Sequence, residues 1–337
     1  MCARNNHGGL PNPYLNLKEW TLDDLKSILS QEVLDTVDRL YFCGNFGDPM
    51  LHNDLVEMCK HLSQAKPELH IGIHTNGGAR KPEWWAALAK ALPTNHCVHF
   101  GIDGLEDTHH LYRVGTKYET VIKNAKAFID AGGRAEWTFI KFKHNEHQVD
   151  ECRNRATELG FEKFMLKNSS RFLIEPKYDV VDKTGTTTHI IEPPTDTVVK
   201  FMPKSVIDSY KKVVAEAKVD CYVQGIKEIY IDAYKTIMPC CWVSSIPYTY
   251  YDPNHVNNDV SGAMKAQYDK LVSEFGGIEQ LNASNGIKNV VESETWQTIW
   301  ERKWTTDKLI TCARVCGKFE TVDFGQPNDQ FIQSDTL

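Results

Sequence analysis

Ten cysteines are present, and four stand where thiolates could meet: Cys221, Cys240, Cys312 and Cys316. Cys312 and Cys316, with Gly317 after them, put two thiols close together on a turn. Cys221 precedes and Cys240 follows a segment that reads as a hairpin, with Glu228–Asp232 running in, Ala233-Tyr234-Lys235 turning and Thr236–Met238 running out. Cys240 and Cys241 are adjacent, and a four-ligand site needs only one of them. The position directly after the hairpin favours Cys240. Four thiolates converging from a hairpin and a tight loop suit a metal or an iron–sulfur centre. A four-cysteine structural zinc site needs the same ligands, and scattered core cysteines are the remaining reading.

The second candidate chemistry is carried by acids after glycine-rich strand ends. Arg39-Leu40-Tyr41-Phe42-Cys43 reads as a strand that breaks into Gly44-Asn45-Phe46-Gly47-Asp48-Pro49. The glycines bare the backbone and the proline fixes the exit. His70–His74 runs likewise into Thr75-Asn76-Gly77-Gly78, and Cys97–Ile102 into Asp103-Gly104. Loops at the carboxyl ends of strands are where α/β proteins place ligands. Asp48 and Asp103 at neighbouring strand ends would make a mouth suited to a ligand with an ammonium and a ribose, with His74, His99, His109 and His110 near the same face. Each acid taken separately could equally be a solvated loop residue or a helix cap.

Helices must alternate with these strands to hold them. Thr21 is placed to cap a helix through Leu25 and Ile28, with Asp23 and Asp24 in its first turn. Leu55, Met58, Cys59 and Leu62 recur at helical spacing over 54–65, which makes Cys59 a core residue. Pro82 opens a helix with Trp84, Trp85, Leu88 and Leu92. The spacing predicts a further helix over 118–131, stopped by Gly132-Gly133, a strand over 135–142, a helix ending at Gly160 and a last strand over 164–166. Five strands alternating with helices predict a parallel βα array, doubly wound or an open barrel. The pattern enters in mid-stride, as if one more strand preceded it. Over 175–203 Pro, Thr, Asp and Lys dominate and a linker or loop-rich insertion is expected. A helix over 204–218 follows, and 276–294 reads as loop with one short helix. Trp296, Ile299, Trp300 and Trp304 form a packing stripe on a helix. The tail, residues 323–337, is polar and expected to fray.

At 337 residues with 41% hydrophobic and 25% charged residues, the composition is that of a globular protein with ample core. A net charge of −7 makes a nucleic-acid backbone an unlikely main partner. No apolar run reaches membrane-spanning length, and residues 1–7 lack the apolar stretch of a signal peptide. A reducing, cytoplasmic setting is therefore expected, in which the cysteines are not a disulfide frame.

From Cys2 to Arg171 the sequence resembles the core of the radical S-adenosylmethionine (radical SAM) enzymes. The family signature is Cys-x3-Cys-x2-Cys, and Met1-Cys2-Ala3-Arg4-Asn5 looks like its end, with Cys2 as the third cysteine. Gly47-Asp48-Pro49 resembles the Gly-Glu-Pro motif that receives the cofactor's ammonium, with Asp for Glu. Thr75-Asn76-Gly77 resembles the strand end that follows it. Gly101-Ile102-Asp103-Gly104 is similar to the Ser-Ile-Asp-Gly segment near the ribose, with Gly101 where serine is usual. Asn145 and Arg171 fall where such enzymes place adenine or carboxylate contacts. Ile231-Asp232-Ala233-Tyr234-Lys235-Thr236-Ile237-Met238-Pro239-Cys240 is similar to the Ile-Asp-x-x-Gly-x-x-x-Pro-Cys run of the SPASM or twitch-type auxiliary-cluster extension, with Lys235 replacing the turn glycine. The likeness covers roughly residues 1–171 and, patchily, 219–318.

The resemblance implies a partial, open (β/α)6-type barrel lacking its first strand (residues 1–174), then the linker and a small α+β cysteine-bearing domain (204–322). It implies a catalytic [4Fe–4S] cluster with Cys2 as one ligand, an auxiliary [4Fe–4S] cluster on Cys221, Cys240, Cys312 and Cys316, and S-adenosylmethionine. It implies that Asp48 holds the ammonium and Asp103 a ribose hydroxyl, with Gly47, Pro49, Thr75 and Asn76 beside them. A low-potential electron donor such as flavodoxin or ferredoxin and a peptide substrate would be partners. The first two signature cysteines are missing, so the chain reads as a fragment or as the product of a wrongly assigned start. Two other classes stay open: a non-catalytic iron–sulfur or zinc protein with only the C-terminal site filled, and an ordinary barrel enzyme using Asp and His as acid and base.

Overall fold

The computed structural model describes residues 4–169, 172, 177–196, 214–248, 258–318 and 331–337. Its chain falls into two compact units, one of residues 1–11, 21–199 and 328–337, the other of residues 12–20 and 200–327.

The first unit is built on a six-stranded sheet. A two-residue hairpin, β1 (Asn5–Asn6) and β2 (Leu10–Pro11), precedes it. Helix α1 (Leu22–Ile28) starts at Thr21, whose hydroxyl accepts from the Asp24 amide while the Asp24 carboxylate accepts from the Thr21 amide. This capping box satisfies two otherwise orphaned donors. After α2 (Gln31–Leu34) the chain alternates as β3 (Arg39–Phe42), α3 (Leu55–Ala65), β4 (His70–Thr75), α4 (Pro82–Ala91), β5 (His96–Gly101), α5 (His109–Tyr112), α6 (Tyr118–Asp130), β6 (Ala135–Ile140), α7 (Val149–Leu159) and β7 (Lys163–Lys167). Strands β3 to β7 are parallel and adjacent in sequence order, as the alternation predicts.

Two-residue periodicity sorts the sheet's faces. Ile71, Ile73, Val98, Phe100, Trp137, Phe139, Phe164 and Leu166 are all buried. They form the helix-covered face: Trp85 of α4 lies 5.2 Å from Phe100, and Phe128 of α6 lies 6.0 Å from it. Their intervening neighbours, His74, Cys97, His99, Glu136, Thr138 and Lys167, share the other face. Cys59 is fully buried in α3, as its spacing predicts.

Helix α7 ends on Gly160 in the left-handed region, φ 86°, where a side chain is strained. Gly160→Ala is expected to cost about 1 kcal/mol, read from urea unfolding.

Three expectations change. The 175–203 stretch, read as linker or loop-rich insertion, contains an antiparallel hairpin of β8 (Tyr178–Val181) and β9 (Thr187–Ile191). Val180 and Ile191 pack with Tyr112, Phe142 and Phe172, which is why alternating apolar residues survive there. The tail expected to fray holds a strand that pairs antiparallel with the open edge of β7, from Phe331↔Lys167 to Thr336↔Lys163. Edge pairing satisfies backbone groups whatever the side chains, so polarity did not signal it. Residues 12–20 belong to the second unit: Asn12 Nδ2 donates to the Tyr248 carbonyl at 2.8 Å and Trp20 Nε1 to the Asp232 carbonyl at 3.0 Å.

In that second unit, β10 (Lys218–Val219) pairs with β13 (Gly317–Lys318), and β11 (Tyr230–Ile231) with β12 (Ile237–Met238). The β11–β12 turn forms without glycine, with Lys235 at φ 69°. Asp232 Oδ1 holds it by accepting from the Tyr234 amide at 2.8 Å and the Thr236 amide at 2.9 Å. Helix Glu294–Thr305 buries Trp296, Ile299 and Trp300, the packing role expected of that stripe. Most of the helix expected over 204–218 lies outside the described residues. The edge strand β14 (Phe331–Thr336) closes the element order in the first unit.

Candidate cofactor site at the strand ends

Asp48 ends the loop after β3 and caps a 3-10 turn, Pro49–Leu51. Its Oδ1 accepts from the Met50 amide at 3.2 Å, and its Oδ2 from the Asn76 amide at 2.7 Å. The Thr75 side chain is a third partner. The carboxylate therefore ties the β3 loop to the end of β4, bringing Gly47, Asp48, Pro49, Thr75 and Asn76 together. Burial pushes the Asp48 carboxyl above its ordinary range, while hydrogen bonds from Asn76, Thr75 and Met50 pull the other way. Asn76 Oδ1 accepts from the Gly78 amide at 2.8 Å, and Thr75 Oγ1 from the Gly77 amide at 2.9 Å, which fixes the turn after β4.

Asp103, after β5, is fully buried. One carboxylate oxygen accepts from the Ile140 amide at 2.6 Å, and the other from Arg113 Nε at 2.5 Å. Its backbone carbonyl accepts from Asn145 Nδ2 at 3.0 Å. Asn145, also fully buried, donates further to the Ile140 carbonyl at 3.0 Å and accepts from the Phe142 amide at 2.7 Å. Asp103 and Asn145 thus clasp the ends of β5 and β6, rather than presenting free polar atoms to a ligand.

The group that does reach the mouth is one the sequence reading missed. Arg113, ten residues past Asp103, lays its guanidinium over Gly101. A Cβ on Gly101 would lie 2.3 Å from Arg113 Nη2. The glycine in place of serine is the space Arg113 occupies. Arg113 and Asp48 lie within electrostatic reach of each other, and Lys167 faces the same pair of Asp103 and Arg113. A loop of mixed polarity gave no periodicity from which Arg113 could be singled out.

The four histidines separate. His74 and His99 stack on the open face of the sheet, ring centroids 4.4 Å apart. Burial and the neighbouring His99 bring the His74 pKa down to about 3. His99 Nδ1 meets Glu136 Oε2 at 3.0 Å, and Glu136 Oε1 meets Lys163 Nζ at 3.1 Å. Burial works against the ionised Glu136, but His99 and Lys163 prevail and bring its pKa down to about 2. Glu136 was legible as a charge in the alternating run Ala135-Glu136-Trp137-Thr138-Phe139. His109 is fully buried in α5, whereas His110 beside it is exposed.

Among the C-terminal cysteines, β10–β13 pairing sets Val219 opposite Gly317, which draws Cys221 to Cys316. Their thiols are hydrogen-bonded, with Cys316 favoured as the thiolate and Cys221 as the donor. Cys312 senses the charges of Cys240 and Cys316. Cys312 and Cys316 sit on one helix, Ile310–Cys316, rather than on a tight turn; spacing of four places them on one helical face. Among the described residues the four thiols are not gathered to within 4.8 Å of one another. Cys2 and Arg171 lie outside the described residues.

The profile of the radical SAM superfamily matches residues 2–161. The match spans 160 of the chain's 337 residues. The matched stretch contains the loops of Asp48, Asn76 and Asp103. No match is found among curated proteins. Among solved structures, the chain is similar to Streptococcus suis SuiB bound to its precursor peptide SuiA. Identity is 15% and the TM-score 0.45, over 78% of this chain and 61% of that one. SuiB bound to S-adenosylmethionine matches at 16% identity and TM-score 0.43, over 70% and 56%. For anSMEcpe with bound AdoMet and Cp18Cys peptide the figures are 13% and 0.48, over 94% and 87%. The chain thus spans 56% to 61% of the SuiB chains' length. No described helix is long and apolar enough to cross a membrane.

Proposed function

We propose that the radical SAM domain binds S-adenosylmethionine at the carboxyl ends of β3 to β6, with the cofactor's amino-acid end between Asp48 and Arg113. The observation that carries this reading is that pair: an acid and a guanidinium at one mouth, close enough to sense each other. A zwitterionic α-amino carboxylate needs such a pair, Asp48 for the ammonium and Arg113 for the carboxylate. An arriving ammonium would also offset the burial that raises the Asp48 pKa. Asp103 then acts through Arg113, holding its fork in place, and Asn145 holds the Asp103 backbone. Gly47, Pro49, Thr75 and Asn76 shape the loops around the methionine end. Arg171 remains a proposed contact for the carboxylate or adenine.

Bound to a [4Fe–4S] cluster, this cofactor supplies a 5′-deoxyadenosyl radical that abstracts hydrogen from substrate. Cys2 would supply one ligand to that cluster. The auxiliary site is proposed on Cys221, Cys240, Cys312 and Cys316. An iron–sulfur cluster is the reading the SPASM-like run favours, and a structural zinc ion would use the same four ligands. The proposed substrate is a peptide, on the strength of the SPASM-like run Ile231 to Cys240, and the proposed reductant a flavodoxin or ferredoxin. A cytoplasmic location goes with such a reductant.

Calorimetric titration with S-adenosylmethionine tests the reading. Asp48→Asn and Arg113→Lys should each weaken binding by about tenfold, roughly 1.4 kcal/mol. Undiminished affinity in both variants would overturn the assignment.

A further inference from the structure

The open face of the sheet carries a second set of donors, below the strand-end loops of Asp48 and Asp103. Cys97 and His99 alternate along β5 and so share a face. His99 lies directly across from Glu136 on β6. The Cys97 sulfur, a His99 ring nitrogen and a Glu136 carboxylate oxygen all lie within 4.8 Å of one another. Cys97 and Glu136 are buried and the His99 side chain is 15% exposed. Barrel interiors at this level are ordinarily filled by branched apolar side chains. Here a thiol, an imidazole and a carboxylate are held together instead, with the thiol hydrogen-bonded to Glu136.

We infer that Cys97, His99 and Glu136 form a three-ligand site for a divalent cation of the zinc type, with the fourth position open. Sulfur and imidazole donors select zinc-like ions over magnesium or calcium. Three protein ligands with an open position are the usual catalytic arrangement of zinc. Tetrahedral bonds of about 2.0–2.3 Å set the donors roughly 3.4–3.8 Å apart, so the His99–Glu136 pair, now at 3.0 Å, would open slightly around the ion. On binding, Cys97 gives its proton to solvent, and one thiolate plus one carboxylate balance the charge of the cation. Outer support is already present. The Lys163 ammonium bridges the second Glu136 oxygen at 3.1 Å. The His74 ring, stacked at 12° on His99, constrains the imidazole's plane. None of these residues enters the cofactor site proposed above, so the two readings stand or fall separately.

The test uses the full chain, stripped with chelator, loaded with zinc under reducing conditions and freed of excess metal. Metal analysis compares it with Cys97→Ser and Glu136→Gln. The expected result is loss of one zinc per chain in Cys97→Ser and at least a tenfold weaker zinc affinity in Glu136→Gln. Any zinc at the C-terminal thiols should be unchanged in both. Equal zinc content and affinity in all three proteins would overturn the site. Should either variant fail to fold, alkylation of the unmutated chain decides. Cys97, located by peptide mass, should react at least tenfold more slowly with zinc than with chelator. An unchanged rate would overturn the site.

Discussion

Arg113→Ala is expected to destabilise the first unit by about 3–5 kcal/mol, the cost of leaving a buried charge without its partner. Asp103 has no exposed side-chain surface, and Arg113 Nε at 2.5 Å is its cationic partner. The remaining donor recorded to its carboxylate, the Ile140 amide, is neutral and cannot replace a guanidinium. Because the Arg113 side chain is 25% exposed, the loss comes from stranding Asp103 rather than from emptying core volume. The double variant Asp103→Asn/Arg113→Ala should recover part of it, since the stranded charge is then gone. Gly101→Ser should act in the same direction, because its side chain would enter the space of the guanidinium. Urea unfolding of the single and double variants measures both terms. A loss below about 1 kcal/mol in Arg113→Ala, the range of exposed ion pairs, would mean that Asp103 does not depend on it.

Acidification should destabilise the fold through His109. The Asp103 amide donates to His109 Nδ1 at 3.3 Å, so that nitrogen is the unprotonated one, and Nε2 pairs with Thr116 Oγ1 at 2.9 Å. The Thr116 hydroxyl in turn donates to the Arg113 carbonyl at 2.8 Å, which leaves its oxygen to accept from Nε2–H. A proton on Nδ1 would face the Asp103 amide hydrogen in a fully buried site. Burial, with Arg113 and His110 nearby and only partly opposed by Asp103 and Glu119, brings the pKa from 6.5 down to about 4. The unfolded chain therefore binds a proton that the folded chain refuses. Stability is complete above pH 6.5, falls as pH drops below it and levels off near pH 4. The total loss from this group is about 3 kcal/mol. His109→Gln should remove that part of the pH dependence, measured as the difference in unfolding free energy between pH 7 and pH 4.5. An identical slope in the variant would place the proton uptake elsewhere.

The βα alternation was legible because it is a local property. Strands β3 to β7 each show their two-residue alternation or apolar run, and the helices between them show their own spacing. Short-range sterics and burial fix both periods. The glycine-rich loops with Asp48 and Asp103 were legible too, because Gly, Asp and Pro act on their own backbone. The hairpin at 178–191 and the strand at 331–336 were not. Each is stabilised by partners far away in sequence, Tyr112 and Phe142 for the first and the edge of β7 for the second.

The same division runs through the candidate site. The sequence by itself determined that acids stand at the ends of parallel strands, that Asp48 follows the Gly-rich loop, and that Cys312 and Cys316 lie close together. Only the tertiary structure decided what each acid does. Asp48 spans two loops, while Asp103 is sealed beneath Arg113 and Asn145. A loop arginine ten residues away fills the place left by Gly101. The register of β5 against β6 likewise sets His99 opposite Glu136. Hydrogen-bond partners and desolvation depend on which strands become neighbours, and no residue's own type or spacing carries that information.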